Sequence, residues 1–235
     1  MRMDTEKRRM QLTWYGQSFF ELETAAGTTV LLDPWMDGNP MNDVVPADFD
    51  PDLIAITHGH ADHVADAHRF EGVPVLGQPE TTGYLAEKGH EEAIGMNVSG
   101  TYEHDDVSVT ATKAFHSSGA PLEADYDYYM GTPLGFVIDD GETAFYDAGD
   151  TGLFGDMKTV IRDVYAPDIA AVPIGDRHTM GPELAGLAVD WLGVDAAIPI
   201  HYDTFPIIEQ DPEEFVDAVS DADVFVPDVG EPIEY

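Results

Sequence analysis

The densest chemistry in the sequence lies in Thr57-His58-Gly59-His60-Ala61-Asp62-His63, where three imidazoles and a carboxylate follow the apolar run Leu53-Ile54-Ala55-Ile56. His58 and His60 stand two apart, so extended or turn backbone projects them the same way and one metal ion can take both. Asp62 and His63 come as the chain turns into Val64-Ala65-Asp66-Ala67-His68, a candidate helix. From its first turn they would point into the same pocket, where a second ion can sit. Neutral imidazole and carboxylate suit zinc, manganese or iron, and the chain has no cysteine to favour thiolate chemistry. A histidine-rich surface loop is the plainer alternative, and the spacing weighs against it.

Further ligand types fall at other strand ends. His116 follows a strand over 107–114 and leads into Ser117-Ser118-Gly119, and Asp150 sits in Ala148-Gly149-Asp150-Thr151-Gly152 after a strand over 143–146. His201 ends Ile198-Pro199-Ile200. Taken singly, each reads as a turn or hydrogen-bonding residue. Each is also followed by glycine or polar turn residues, where loops gather on one edge of a scaffold and function concentrates. With the 58–63 cluster they make seven ligands, enough for two ions and one open or bridged water position.

The elements that must position these residues are legible from alternation, turns and caps. Strands over 11–15, 18–23 and 28–33 form a meander ended by Asp33-Pro34; strands over 53–56 and 73–76 follow, then a helix from Pro79 to Lys88. Strands near 93–98, 101–104 and 107–114 complete the first half. The second half opens with a hairpin, 134–138 and 143–146 across Asp139-Asp140-Gly141, then a helical pattern over 155–164 and a buried strand over 169–172. A helix from Pro182 to Leu192 is stopped by Gly193, a strand spans 196–200, and Asp211-Pro212-Glu213-Glu214 caps a helix reaching Val219. Val224-Phe225-Val226 closes the chain. Meanders followed by strand–helix alternation in both halves predict an α/β (α+β) protein with two sheets face to face and helices outside. No low-complexity linker interrupts residues 1–235, which predicts a single domain.

Composition excludes several classes. Zero cysteines rule out disulfides and Fe–S clusters and fit a reducing interior. The basic N-terminus has no apolar signal segment behind it, and no stretch nears the ~20 apolar residues of a membrane span. A soluble cytoplasmic protein is the expectation. With 46 Asp plus Glu against 10 Lys plus Arg, the formal net charge is -36. The acids are spread along the chain, as in Asp105-Asp106 and Asp139-Asp140, and not gathered into a tail. Such a surface repels itself in dilute buffer, whereas molar salt cuts the screening length to about 3 Å. Adaptation to a salt-filled cytoplasm is the expectation. Phosphate-backbone binding depends on Lys and Arg, so a nucleic-acid partner is disfavoured.

These motifs together resemble the metallo-β-lactamase superfamily, and within it the branch of predicted metal-dependent hydrolases related to L-ascorbate 6-phosphate lactonase. The resemblance runs through Gly16-Gln17-Ser18, Leu32-Asp33-Pro34, Thr57 to His63, His116-Ser117-Ser118-Gly119, Ala148 to Phe154, Ile174-Gly175, Thr179-Met180-Gly181-Pro182 and Pro199 to Pro206. It implies a four-layer αββα sandwich with a binuclear site along one edge of the sheets. His58, His60 and His116 would hold the first ion, Asp62, His63 and His201 the second, and Asp150 would bridge them. Asp33 would buttress a ligand loop without touching metal. The chain departs from the family pattern at Asp176-Arg177-His178, where relatives often carry Gly-His-Phe, and at Gln17, which replaces a common histidine. Residues 120–129 are longer than usual and read either as a lid or as salt-adapted padding.

Two divalent ions, zinc first and manganese second, would leave the inner site a formal charge of about +1. They would lower the pKa of a shared water towards ~7, and the resulting hydroxide would attack a carbonyl or phosphorus centre. Asp62 would be catalytic, binding the second ion and orienting the nucleophile. The expected activity is hydrolysis of an ester, lactone or phosphodiester in a small, anionic substrate. Ser117, Arg177, His178 and Thr179 are the candidate substrate contacts, with Ser118 beside them. Tyr202 and Thr204 are expected to support His201, and His68, His90 and His104 to lie on the surface. A redox di-iron protein would carry glutamate at position 60 and a flavin domain, and a tRNA-processing nuclease would need basic exosites. The alternative is a non-catalytic metal-binding scaffold or binding module. A homo-oligomer is compatible with all of this.

Overall fold

The computed structural model describes residues 9–119 and 129–235. Of the 120–129 segment read as a lid or padding, all but Tyr129 lie outside the described residues.

Side-chain alternation sorts the first strands into two layers. In β1 (Gln11–Trp14), β2 (Phe20–Glu23), β3 (Thr29–Leu32) and β4 (Leu53–Ala55), residues Leu12, Trp14, Phe20, Leu22, Val30, Leu32, Leu53 and Ala55 join one buried cluster. Their neighbours Phe19, Leu31, Ile54 and Ile56 join another. Strand geometry requires this, because successive side chains leave a sheet on opposite faces. The larger cluster fills the space between the two sheets, where the Phe20 and Phe145 rings meet edge-on at 5.7 Å, and continues to Ile161, Ala185, Ala188 and Val189 in the helices beyond the second sheet. The smaller is covered from outside by Val64, Ala67, Phe70 and Leu85.

The remaining strands are β5 (Val75–Gly77), β6 (Ala93–Gly95), β7 (Thr101–His104), β8 (Val107–Lys113), β9 (Leu134–Asp139), β10 (Ala144–Asp147), β11 (Ile169–Pro173), β12 (Ala196–Ile200), β13 (Asp223–Val224) and β14 (Pro232–Glu234). The helices are α1 (Ala61–Val64), α2 (Pro79–Glu87), α3 (Pro182–Leu192) and α4 (Pro212–Ala218). One seven-stranded sheet has the order β14-β1-β2-β3-β4-β5-β6, and the other β13-β12-β11-β10-β9-β8-β7. In each half an antiparallel meander passes into parallel strands, at β3–β4 and at β10–β11. The C-terminal ends of β8, β10 and β12 therefore emerge on one edge of the second sheet. The two sheets with helices outside are the α+β sandwich that the sequence predicts.

Three local expectations change. The helix expected over 64–68 starts earlier, as the single turn of α1, and then breaks into a 3₁₀ turn at Ala67–Arg69. The pattern over 155–164 becomes a π-helix, Met157–Tyr165, in which the Ala166 N–H donates to Ile161 O at 2.8 Å, five residues back. Residues 224–226 do not close the chain: β14 continues past β13 and pairs antiparallel with β1, Gln11 opposite Glu234. The caps of α3 stand as read, with Pro182 in the first turn and Gly193 at φ 66. No helix among the described residues is long and apolar enough to cross a membrane.

Candidate metal centre

Asp33 comes directly after β3 and organises the loop beyond β4. Its carboxylate accepts the Thr57 N–H at 2.7 Å, the Thr57 hydroxyl and His63 Nδ1 at 2.6 Å, all buried. A carboxylate only accepts, so the proton sits on Nδ1 and Nε2 of His63 is left facing the centre. That Nε2 is buried and has no hydrogen-bond partner. His60 stands just before α1, its carbonyl accepting the Val64 N–H at 3.0 Å, which places Asp62 and His63 in the one turn of that helix.

Around this frame the seven predicted ligands converge. The ligand atoms of His58, His60 and His116 lie within 4.8 Å of one another, as do those of Asp62, His63 and His201, and those of His58, His63 and Asp150. Asp150 Oδ2 stands 2.9 Å from His201 Nε2, 3.5 Å from both His63 Nε2 and His116 Nε2, and 3.9 Å from His58 Nε2. Its Oδ1 is buried without a partner. Two orphaned ligand atoms, Asp150 Oδ1 and His63 Nε2, in an all-nitrogen and oxygen donor set, fit divalent cations of the zinc or manganese type. Close backbone approach makes this packing feasible at Gly175, where a Cβ would stand 2.4 Å from His201 O and 3.0 Å from its Nδ1.

The electrostatics divide the imidazoles. Burial holds His58 well below the ordinary histidine range, with the neighbouring His63 adding to it, and burial likewise lowers His60 and His116. For His63 burial acts in the same sense, but the carboxylates of Asp150, Asp33 and Asp62 outweigh it and raise its pKa well above that range. Burial of Asp150 is outweighed in turn by His201 and His63, which hold it well below the usual carboxylate range.

A cleft of ≈ 380 Å³ opens onto the cluster, with Asp62, Asp150, Ser117 and His178 among its polar lining and Phe205 and Ile207 among its apolar one. Ser117 is exposed there, whereas Ser118 is buried and accepts the Gly59 N–H at 3.1 Å. Arg177 and Thr179 are not among the lining residues: Arg177 is exposed, and the Thr179 hydroxyl donates to Met180 O at 3.3 Å. Tyr202 stacks on Trp14 at 5.4 Å. His68 is exposed and His104 half-buried, but His90 corrects the surface expectation. It is 3% exposed, because Gly89 at φ 96 turns the chain inward and His90 Nε2 donates to Val73 O at 2.8 Å.

One residue of the centre shows in the sequence only as a departure from pattern. Gln17 is fully buried, and its Nε2 donates to Asp62 Oδ2 at 2.8 Å. Its signal in the sequence is that, between Gly16 and Ser18, it replaces a histidine common in the resembled family.

Fold and site define a class. Residues 28–202 match the Beta-lactamase superfamily domain. The chain is 46% identical over 226 residues, 91% of its length and 90% of the relative's, to a UPF0173 metal-dependent hydrolase of Halorubrum lacusprofundi. It is 46% identical over 239 residues, 96% of its length and 98% of the relative's, to UPF0173 metal-dependent hydrolase OE_2513F of Halobacterium salinarum. Among solved structures it is similar to Igni18, a metallo hydrolase of Ignicoccus hospitalis, with a TM-score of 0.82 and 36% identity over 96% of this chain and 98% of that one. The chain belongs to the UPF0173 family of metal-dependent hydrolases, within the β-lactamase superfamily.

Proposed function

We propose that this protein hydrolyses an ester or lactone bond in a small molecule at a paired-cation site, with phosphodiesters as the second reading. The carrying observation is Asp150, one carboxylate oxygen of which lies within 3.9 Å of imidazoles from both ligand groups while the other is buried and free. His58, His60 and His116 would hold one ion, Asp62, His63 and His201 the other, and Asp150 would belong to both. Zinc, or manganese as second choice, supplies a water acidic enough to ionise near neutral pH and a Lewis acid for the developing oxyanion.

The chain's own groups do the rest. Asp33 fixes the tautomer and ring plane of His63. Asp62, 22% exposed at the cleft, is placed to orient the attacking water and take its proton. Ser117 and His178 stand in the cleft to hydrogen-bond the substrate. Phe205, stacked on Trp35 at 5.7 Å, and Ile207 form an apolar wall that excludes water and accommodates an apolar part of the substrate. Among the described residues no Lys or Arg lines this cleft, although Lys113 lines an adjoining one that shares His60, His116 and Ser117, so within the cleft itself attraction for an anion would come from the ions. A small anionic substrate would then be held by the ions, and the resemblance to L-ascorbate 6-phosphate lactonase supports the lactone within the ester class. A single catalytic domain accords with the core cluster that both sheets share, and a salt-filled cytoplasm accords with the acidic composition.

The test is stripped protein reloaded with zinc or manganese in molar KCl and assayed on aryl esters, lactones and a bis-aryl phosphodiester. Turnover of esters or lactones should require the metal and fall by about 10²-fold or more in Asp150→Ala. Protein with two ions bound that cleaves nothing on the panel would reject the proposal and favour a binding scaffold.

A further inference from the structure

Gln17 sits in the turn between β1 and β2 at φ 55, with none of its surface exposed. Its amide spans the two loops that bring Asp62 and His201 together. Nε2 donates to Asp62 Oδ2 at 2.8 Å, and Oε1 accepts the hydroxyl of Thr204. The backbone carbonyl accepts the His201 N–H at 2.9 Å and the Trp14 indole N–H at 3.0 Å. The direction of this chain of bonds is forced. An ionised carboxylate can only accept, so the amide nitrogen faces Asp62, the amide oxygen faces Thr204, and Thr204 donates. A buried glutamine with both ends satisfied is held in one orientation, and leaving either end unpaired would be costly.

We propose that Gln17 is the positioning residue for the second-ion group, and that Thr204 sets which end of its amide meets Asp62. Asp62 needs such a clamp because it stands in the single turn of α1 and is partly open to the cleft, free to rotate about its last bond. His201 takes up a backbone φ of 57 just after β12. Through one residue, the side-chain amide fixes the carboxylate and the main-chain carbonyl fixes the histidine. The spacing of the two ligands is thus set from the β1–β2 turn. His58, His60 and His116 make no hydrogen bond to Gln17 among those described, so the effect falls directly on one group of the pair and reaches the other only through Asp150 beside His201.

This inference rests on the paired-cation reading, and the experiment separates the two. Zinc binding is followed by competition with a chromophoric chelator in wild type, Gln17→Met, Thr204→Val and Thr204→Ser, with thermal unfolding recorded for each. Wild type should bind two ions. Gln17→Met and Thr204→Val should keep the first affinity and lose about tenfold or more at the second, while Thr204→Ser, which keeps the hydroxyl, should match wild type. A packing role predicts instead that near-isosteric Thr204→Val is silent. Should Gln17→Met fail to fold, the Val and Ser variants at 204 decide the matter. Wild type with two ions and Thr204→Val indistinguishable from it, or variants weakened equally at both ions, overturns the role of Gln17. Wild type that binds fewer than two ions overturns the paired-cation reading, and this inference with it.

Discussion

His63 differs from its fellow ligands before any cation arrives. Three carboxylates raise its pKa against the pull of burial, while burial, with neighbouring imidazoles adding to it, lowers His58, His60 and His116. At neutral pH the ion-free protein therefore holds a proton on His63 that a cation must expel, whereas the first group is already neutral. Affinity at the second group should rise with pH, and affinity at the first should stay flat over the same range. Calorimetric titration in buffers of different ionisation heat checks this: one of the two binding events should show a buffer-dependent heat and the other none, and equal dependence for both events would refute it. The seven ligands are legible in the sequence because their types are rare in such density and their strand-end positions agree. Gln17 shows only as a departure from the family pattern and its role does not, since its partners lie 45 and 187 residues away. His90 misleads for the same reason, its acceptor being 17 residues upstream.

Elements are legible where local rules decide them. Proline and glycine bracket α3, and the side chain of Asp211 accepts the Glu213 N–H at 3.0 Å to begin α4. They are illegible where pairing is made across the whole chain. β14 is three residues long and opens on proline, so it carries no period to read, and it exists because β1 offers it an edge. The loop after β11 is governed by close approach. Gly175→Ala would drive a Cβ to within 2.4 Å of His201 O, a contact that only movement of the His201 loop can relieve. The expected outcome is a loss of about 1–3 kcal/mol in urea unfolding, together with selective weakening at the second ion group. An unchanged midpoint and unchanged zinc affinity would show that the loop absorbs the methyl group freely.

For the whole molecule, charge dominates. A formal net charge of -36 on 235 residues predicts a melting temperature that climbs steeply from dilute buffer to molar KCl, as the screening length falls from about 30 Å to about 3 Å. A melting curve indifferent to KCl would rule out salt adaptation. The ligand groups bear on the same stability from another side. Each draws on both halves of the fold: His58 and His60 follow β4 of one sheet while His116 follows β8 of the other, and Asp62 and His63 are likewise matched by His201 after β12. A cation gripped in either place therefore rivets the two layers together at their open mouth, in a polypeptide that has no sulfur bridge to do so. A chelator would act on this protein as a reductant acts on a secreted one, releasing the seam and leaving only the greasy filling to hold the sandwich shut.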